Sequence, residues 1–215
     1  MIQEWLKKSE SIPRKLGLYR MEAILEALGN PERKLKSIHI AGTNGKGSTA
    51  AMVTAFAKAH GLRVGTFTSP HMDSIRERIQ LDGVPLEEEP FWQAALVVRK
   101  VEIRLFEEWG PFNYFEILTA MMFVVFQQEA VDLAIIEVGI GGLLDNTNVG
   151  HPLVSVITTI GLDHQDLLGS TLEEIAAQKA GIIKSGQQVV VGPVSCECMD
   201  VIHEVASEKG AAVQA

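Results

Sequence analysis

A glycine-rich loop in the first quarter of the chain constrains its fold more than any other feature. The alternating apolar residues of 36–41 predict a strand, the segment 42–47 (GTNGKG) predicts a tight loop, and 48–60 predicts a helix. Glycines let backbone N–H groups approach an anion closely, and the start of a helix adds a positive dipole end. The sequence therefore predicts a binding site for a nucleoside triphosphate.

The polar side chains of this loop also suit a phosphate. Lys46 supplies a positive charge for a β- or γ-phosphate, and the hydroxyl of Ser48 or Thr49 can bind Mg²⁺. The loop departs from the usual G-x-x-x-x-G-K-[ST] pattern, because Gly47 separates the lysine from the serine. The alternative interpretation is a glycine-rich turn that binds nothing.

Composition limits the classes of protein that remain. The 215 residues, 47% hydrophobic and 21% charged, suit one compact domain. Because 27 acidic residues outnumber 19 basic ones and no basic stripe occurs, we expect no nucleic-acid partner. Cys196, Cys198 and His203 provide neither a disulfide framework nor a complete zinc site. The longest apolar run, 117–126, is too short to cross a bilayer, so we expect a cytoplasmic protein with no membrane partner.

Strand and helix patterns alternate along the chain. This order is typical of an α/β fold with a doubly wound, mainly parallel sheet flanked by helices. The predicted strands are 36–41, 63–67, 132–138, 153–158, 187–191 and 211–215, and an alternating segment, 75–81, precedes a turn signal at 82–83. The predicted helices lie within 1–30, broken near Pro13 and Gly17, and at 48–60, 87–108, 112–128, 171–180 and 196–209. Thr171 is the expected N-cap of its helix, with Glu174 as capping-box partner.

Polar residues follow several predicted strands at their carboxyl ends, where ligands bind in such sheets. The loops at these ends are 42–47, 68–71, 138–148, 159–168 and 192–195. Ser69 suits a metal ligand, a nucleophile or a turn cap, although the nucleophile elbow pattern G-x-S-x-G is absent. Glu137 ends an aliphatic strand, where it either meets a cation such as Mg²⁺ or emerges into solvent. His164 follows the next strand, and three such residues at neighbouring strand ends favour one joint site.

For four further residues, the sequence pattern by itself favours a structural role. Lys179 and Lys184 lie near a helix end followed by glycine, and this pattern by itself indicates ordinary capping. Phe115 and Glu116 lie on an apolar helix, for which the default interpretation is the core.

Short segments of the chain match, in order, those of one enzyme family. They are GLYRM (17–21), HIAGTNGKGS (39–48), TSPH (68–71), ERI (77–79) with DG (82–83), FEILT (115–119), EVGIGG (137–142) with DNTNV (145–149), GLDH (161–164) and KAGIIK (179–184). On these segments the chain resembles the folylpolyglutamate synthases, including their bifunctional dihydrofolate synthase form, within the Mur ligase superfamily. The resemblance implies a P-loop NTPase-like Mur ligase central domain.

The resemblance also implies a role for each matching residue. The ATP phosphates would be held by Thr43, Asn44, Gly45, Lys46, Gly47 and Ser48. Mg²⁺ would be held by Ser69, Glu137 and His164. Lys46, His164 and Lys179 would be catalytic, and Lys179 would carry a carbamate. The folate substrate would be bound by Leu18, Tyr19, Arg20, Asn113, Tyr114, Phe115, Glu116 and Leu144.

The activity implied is the ATP-dependent addition of L-glutamate to a folate through an acyl phosphate. Whether dihydropteroate is a second substrate, as in the bifunctional form, is left open by the sequence. In that family a carboxyl-terminal domain completes the ATP site. We expect residues 1–215 to form the ATP-binding amino-terminal domain, to lack that second domain and to be inactive without it, and we expect the protein to be a monomer. Leu143 stands where many relatives have arginine. The alternatives are a Mur-type ligase acting on a UDP-MurNAc-peptide and a nucleotide-binding module without catalysis.

Overall fold

A mixed β-sheet forms the centre of the computed structural model, which describes residues 1–13 and 17–215. Its strands are β1 Ser37–Ala41, β2 Val64–Phe67, β3 Ile79–Leu81, β4 Val84–Pro85, β5 Leu133–Glu137, β6 Val154–Ile157, β7 Gln188–Val191 and β8 Ala212–Gln214. Their order across the sheet is β4-β3-β2-β5-β1-β6-β7-β8. The neighbouring pairs from β2 to β8 are parallel, whereas β3 and β4 add an antiparallel edge. The predicted doubly wound, mainly parallel sheet is confirmed.

Helices cover this sheet. They are α1 Ile2–Ser9, α2 Tyr19–Ala27, α3 Lys46–Ala59, α4 Glu88–Trp109, α5 Tyr114–Gln128, α6 Gln165–Leu168, α7 Leu172–Ala180 and α8 Cys196–Glu208. Thr171 and Glu174 form the predicted capping box at the start of α7. The predicted helical region within 1–30 is divided into α1 and α2, and residues 14–16 of the expected break lie outside the described residues.

The largest part of the core lies between α5 and the β2 side of the sheet. Residues 116–126 of α5 are all buried, and they pack with Phe67 of β2 and with Ala134 and Ile136 of β5. Gly65 permits this approach, because a Cβ there would lie 2.6 Å from the ring of Phe126. The apolar run 117–126, which is too short to cross a bilayer, is therefore part of a core helix. Within residues 1–13 and 17–215, we find no helix with the length and apolar character that crossing a membrane requires.

Two of the boundaries that differ from the prediction do so for local reasons. Residues 75–78 of the expected strand form a 3-10 helix, because Ser74 and Glu77 make a capping box that favours a helical turn over alternation. Only Ile79–Leu81 pair with β2. Helix α3 begins at Lys46 rather than at Ser48, after Gly45 in the left-handed region at φ 86°. Lys46 and Gly47 therefore belong to the first helical turn.

Strand order explains where a ligand can bind. Strand β1 lies between β5 and β6, and β2 lies beyond β5. Because these four strands are parallel, the loops that follow them leave from the same edge of the sheet. We call the glycine-rich loop 42–47 the phosphate loop. This loop therefore shares the carboxyl edge with Ser69, the segment after Glu137 and the segment that contains His164.

Candidate active site

The glycine-rich loop is folded closely around its own lysine. The ammonium group of Lys46 donates hydrogen bonds to the carbonyl oxygens of Gly42, at 2.9 Å, and Thr43, at 3.1 Å. The predicted phosphate ligands Asn44, Gly47 and Ser48 are exposed. The first N–H groups of α3 have no partner in the preceding turn of a helix, so they are available to an anion. The loop and the start of α3 therefore present backbone donors that an anion can reach.

Glu137 is the buried carboxylate of this edge. It is 3% exposed, and its Oε2 accepts a hydrogen bond of 3.1 Å from the backbone N–H of Ser69. Burial raises the pKa of Glu137, opposed by the Ser69 N–H and by the charges of Lys46 and Arg78. Glu137 does not emerge into solvent as the alternative interpretation proposes, and a cation would stabilise its ionised form.

A cavity of about 240 Å³ opens beside this carboxylate. Gly47, Ser69 and Glu137 line it, together with residues of β2 and β3. A Cβ at Gly47 would lie 3.7 Å from Oε2 of Glu137, so the first turn of α3 faces the acid directly. The cavity therefore joins the phosphate loop to two of the three predicted metal ligands.

His164 lies on a different loop of the same edge. It is the N-cap of α6, has a positive φ of 49° and is exposed, with Nε2 3.8 Å from Oδ2 of Asp163. Among the residues that the structure describes, no group of three His, Cys, Asp or Glu side chains is placed to hold a metal ion. The predicted Mg²⁺ set contains only two residues of those types, so it stays a prediction.

Lys179 is a buried amine near this edge. It is 3% exposed, and burial lowers its pKa to about 8, with a further decrease from the charge of Lys46 and an opposite effect from Asp163. A lysine that merely caps a helix carboxyl end would keep its ammonium in water. The other lysine of this segment, Lys184, donates a hydrogen bond from Nζ to the carbonyl oxygen of Asn148 at 3.1 Å.

Two of the residues predicted to bind substrate form a buried ion pair. Nε of Arg20 lies 2.7 Å from Oε1 of Glu116, and their side chains are 3% and 2% exposed. Arg20 also donates to the backbone carbonyls of Trp109 and Pro111. Asn113 accepts hydrogen bonds from the N–H groups of Phe115 and Glu116, so it is the N-cap of α5. In the protein by itself, Arg20 and Glu116 thus join α2 to α5, and Asn113 caps α5.

The remaining predicted substrate residues are more accessible. Tyr19 is 51% exposed and its ring lies 5.8 Å from that of Trp109. Leu18, Tyr114 and Phe115 are partly buried. Leu144 is 39% exposed and lines a mainly apolar cavity of about 200 Å³. The other residues of that cavity are Ile140, Gly141, Gly142, Leu167, Leu168 and Gln178.

Arg78 is a residue of this edge to which the sequence assigned no role. Its Nε donates to Nδ1 of His71 at 2.9 Å, and its guanidinium lies 5.5 Å from the centre of the Tyr114 ring. Its charge also acts on Glu137. Arg78 belongs to the segment ERI (77–79), which matches the family, but only the fold brings its side chain close to Glu137 and Tyr114.

A buried polar network supports the loop after β5, and sequence reasoning missed it as well. The hydroxyl of Thr147 donates to Oδ1 of Asp145 at 2.5 Å, and it lies 2.8 Å from Nε2 of His39. The hydroxyl proton is thus used, so Nε2 of His39 is the donor to Thr147. Oδ2 of Asp145 accepts from the N–H of Ile140 at 3.0 Å. This network fixes the loop to β1.

Comparison with known proteins identifies the class of this domain. Residues 95–214, more than half of the chain, match the Mur ligase middle domain. The chain belongs to the Mur ligase middle-domain family. This agrees with the fold, in which the phosphate loop and the strand-end acid occupy one edge of a parallel sheet.

Within that family the chain is similar to folate enzymes. It is 41% identical to a dihydrofolate synthase/folylpolyglutamate synthase of Bacillus subtilis, over 99% of this chain and 50% of that protein. It is 47% identical to the folylpolyglutamate synthase (FPGS) of Lacticaseibacillus casei, over 80% of this chain and 41% of that protein. A solved FPGS–AMPPCP–folate complex matches with a TM-score of 0.92 at 40% identity, over 99% of this chain and 53% of that chain.

These likenesses confirm the resemblance to the folylpolyglutamate synthase family and the predicted fold. The chain spans about half the length of the curated relatives it matches.

Proposed function

We propose that this chain binds ATP and forms part of an ATP-dependent ligase that adds L-glutamate to a folate. The observation that carries the proposal is the cavity in which the first turn of α3, after the phosphate loop, faces the buried carboxylate of Glu137. Burying a carboxylate costs free energy unless it meets a cation or hydrogen-bond donors. A glycine-rich turn that binds nothing would therefore give no reason for the buried Glu137 beside it. The relatives are named as folylpolyglutamate and dihydrofolate synthases, and one is solved with AMPPCP and folate.

The residues present fit a magnesium ion. Glu137 is a desolvated carboxylate that lines the cavity, and Ser69, whose side chain carries a hydroxyl, lines the same cavity. Oxygen ligands of this kind suit Mg²⁺. We propose that Ser69, Glu137 and His164 hold the ion, which would neutralise phosphate charge when bound.

The chain's own residues have distinct roles in the proposed reaction. A carboxylate of the folate attacks the γ-phosphorus of ATP, which gives an acyl phosphate and ADP, and the amine of glutamate then displaces phosphate to form the amide. Lys46 neutralises charge on the transferred phosphoryl group. A carbamate on Lys179 would convert a buried cation beside Lys46 into an anion. The folate would contact Leu18, Tyr19, Tyr114, Phe115 and Leu144, and Arg20, Asn113 and Glu116 would shape that surface.

The whole activity requires more than this chain. We propose that a second domain of the kind found in this family completes the ATP site, so that the 215 residues bind ATP weakly and do not turn over. We also propose that the protein is a cytoplasmic monomer, with folate or dihydropteroate, L-glutamate and ATP as its small-molecule partners.

The first test is nucleotide binding by the chain itself. Calorimetric titration with AMPPCP should give measurable binding in wild type, a loss of at least about tenfold in Lys46→Ala, and no change in Lys58→Ala. Lys58 is an exposed lysine at the opposite end of α3 and serves as the matched control. Equal binding by wild type and Lys46→Ala would refute the assignment of the loop.

The second test is turnover. A chimera in which the remaining part of the Bacillus subtilis relative follows this chain should release ADP only with a folate and glutamate. Tetrahydrofolate, dihydropteroate and a UDP-MurNAc-peptide are compared side by side. Turnover with the peptide would favour the Mur-type alternative, and turnover unchanged by Lys46→Ala would exclude the proposed mechanism. Folate-dependent ATP hydrolysis by the 215 residues without the added part would contradict the need for a second domain.

A further inference from the structure

The side of the phosphate loop nearest β6 is held by two hydroxyl groups. Thr158 and Thr159 directly follow β6 and precede the loop that contains His164. The hydroxyl of Thr158 donates to the carbonyl oxygen of Asn44 at 2.7 Å. The hydroxyl oxygen of Thr159 accepts from the N–H of Asn44 at 3.0 Å and lies 3.1 Å from its carbonyl oxygen. Both backbone polar groups of Asn44 are therefore fixed by side chains of the segment that follows β6.

Thr43 extends this attachment by one residue. Its N–H donates to the carbonyl of Thr159 at 2.8 Å. Its hydroxyl accepts from the N–H of Gly161 at 3.0 Å and lies 3.1 Å from the carbonyl of the same residue. The first half of the phosphate loop is thus bound to residues 158–161 by both backbone and side-chain hydrogen bonds.

Gly42 shows how closely the two segments approach. Its φ is 148°, and a Cβ at this position would lie 1.8 Å from the hydroxyl oxygen of Thr158. Only glycine fits here, so Gly42 and Thr158 form a matched contact. Because Gly42 has no side chain, the hydroxyl of Thr158 has room to reach the carbonyl oxygen of Asn44.

These contacts decide which N–H groups remain for a ligand. The N–H of Asn44 is occupied by Thr159, and that of Thr43 by the carbonyl of Thr159. The N–H groups of the first turn of α3, from Lys46 to Ser48, remain without an acceptor in a preceding helical turn. Preorganised donors bind an anion more tightly than donors that must first be ordered.

We infer that Thr158 and Thr159 are positioning residues for nucleotide binding, which hold Asn44 so that the first turn of α3 faces the phosphates. They act through the loop and contact no phosphate themselves. This inference rests on the proposed function, since it assigns a cause to the affinity of that same loop. We call these two residues the threonine clamp.

The test compares loss of the hydroxyl with its retention. Thr158→Val and Thr159→Val keep the branched shape and remove the hydrogen bonds, whereas Thr158→Ser and Thr159→Ser keep the hydroxyl. We expect each valine variant to weaken AMPPCP binding about tenfold and each serine variant to restore it to within about threefold of wild type. Binding is measured by calorimetry and the melting temperature by circular dichroism.

A matched control separates positioning from general stability. Ser155 lies on β6, the strand that directly precedes the two threonines, and is fully buried, and its hydroxyl contacts the carbonyl of Ile182 and the side chain of Gln187 instead of the loop. Ser155→Ala should lower the melting temperature and leave AMPPCP affinity unchanged.

Two outcomes distinguish the inference from the function on which it rests. Valine variants that bind AMPPCP as wild type does, at whatever melting temperature, would overturn the clamp alone. A wild-type chain that does not bind AMPPCP would overturn the proposed function and the clamp together.

Discussion

The buried histidine of β1 makes folding stability depend on pH in a way that can be measured. His39 is 2% exposed, and its pKa is lowered from 6.5 to about 4, because burial disfavours the charged imidazolium. The carboxylate of Asp145 opposes this decrease, and the charge of Lys184 adds to it. The folded protein therefore keeps His39 neutral in a pH range where the unfolded chain binds a proton.

The sign and size of the effect follow from this difference. Below pH 6.5 the unfolded state gains a proton that the folded state does not bind until the pH approaches 4, so stability falls as the pH decreases through this window. The difference between the two pKa values corresponds to a total loss of about 3 kcal/mol in the free energy of unfolding, which is a large part of the stability of a typical domain. Above pH 6.5 His39 should contribute no pH dependence.

The assay is urea unfolding at a series of pH values from about 7 to about 4. His39→Gln lacks the titrating ring and keeps an N–H donor toward Thr147, so it should be less stable at neutral pH but lose less stability in acid. His203→Gln, at an exposed histidine of α8, controls for the loss of a histidine as such. Parallel curves for wild type and His39→Gln through the window would refute the reasoning.

Three further substitutions test other parts of the structure. Arg20→Met should cost about 3–5 kcal/mol in urea unfolding, because it leaves the buried carboxylate of Glu116 without its cationic partner, and adding Glu116→Leu should recover part of the loss. Gly42→Ala should lower both stability and AMPPCP affinity, since a Cβ would lie 1.8 Å from the hydroxyl of Thr158, and a variant as stable as wild type would contradict this. With a pKa of about 8, about a tenth of the Lys179 amine is neutral near pH 7 and can react with carbon dioxide. NMR with isotope-labelled bicarbonate should detect a carbamate that Lys179→Gln lacks and Lys184→Gln retains.

The sequence predicted those parts of the fold that depend on local pattern. The aliphatic run before Glu137 indicated a buried strand, and Thr171 with Glu174 indicated the start of α7, and both are observed. The alternation at 75–78 was misleading, because a capping box formed by Ser74 and Glu77 stabilises a helical turn that the period does not reveal. Local chemistry of this kind competes with periodicity wherever a segment is short.

The parts of the site that the sequence did not predict depend on contacts between distant segments. The bond from Thr158 to Asn44 joins residues 114 positions apart, and that between His39 and Thr147 joins residues 108 positions apart. Threonine occurs at strand ends in many structural roles, so the residue type by itself did not predict the bond between Thr158 and Asn44. Such pairs become visible only when the strand order places β1 between β5 and β6.

Burial and the charge of Lys46 act together on two of the predicted residues of this edge. Burial raises the pKa of Glu137 and lowers that of Lys179, so the charged form of each group is disfavoured, and the charge of Lys46 acts on both. A cation beside Glu137 would stabilise its ionised form. A carbamate on Lys179 would replace repulsion from Lys46 by attraction. Both groups are thus costly in the protein by itself and stabilised by the chemistry proposed for this edge, which is the relation expected of residues retained for binding and catalysis rather than for folding.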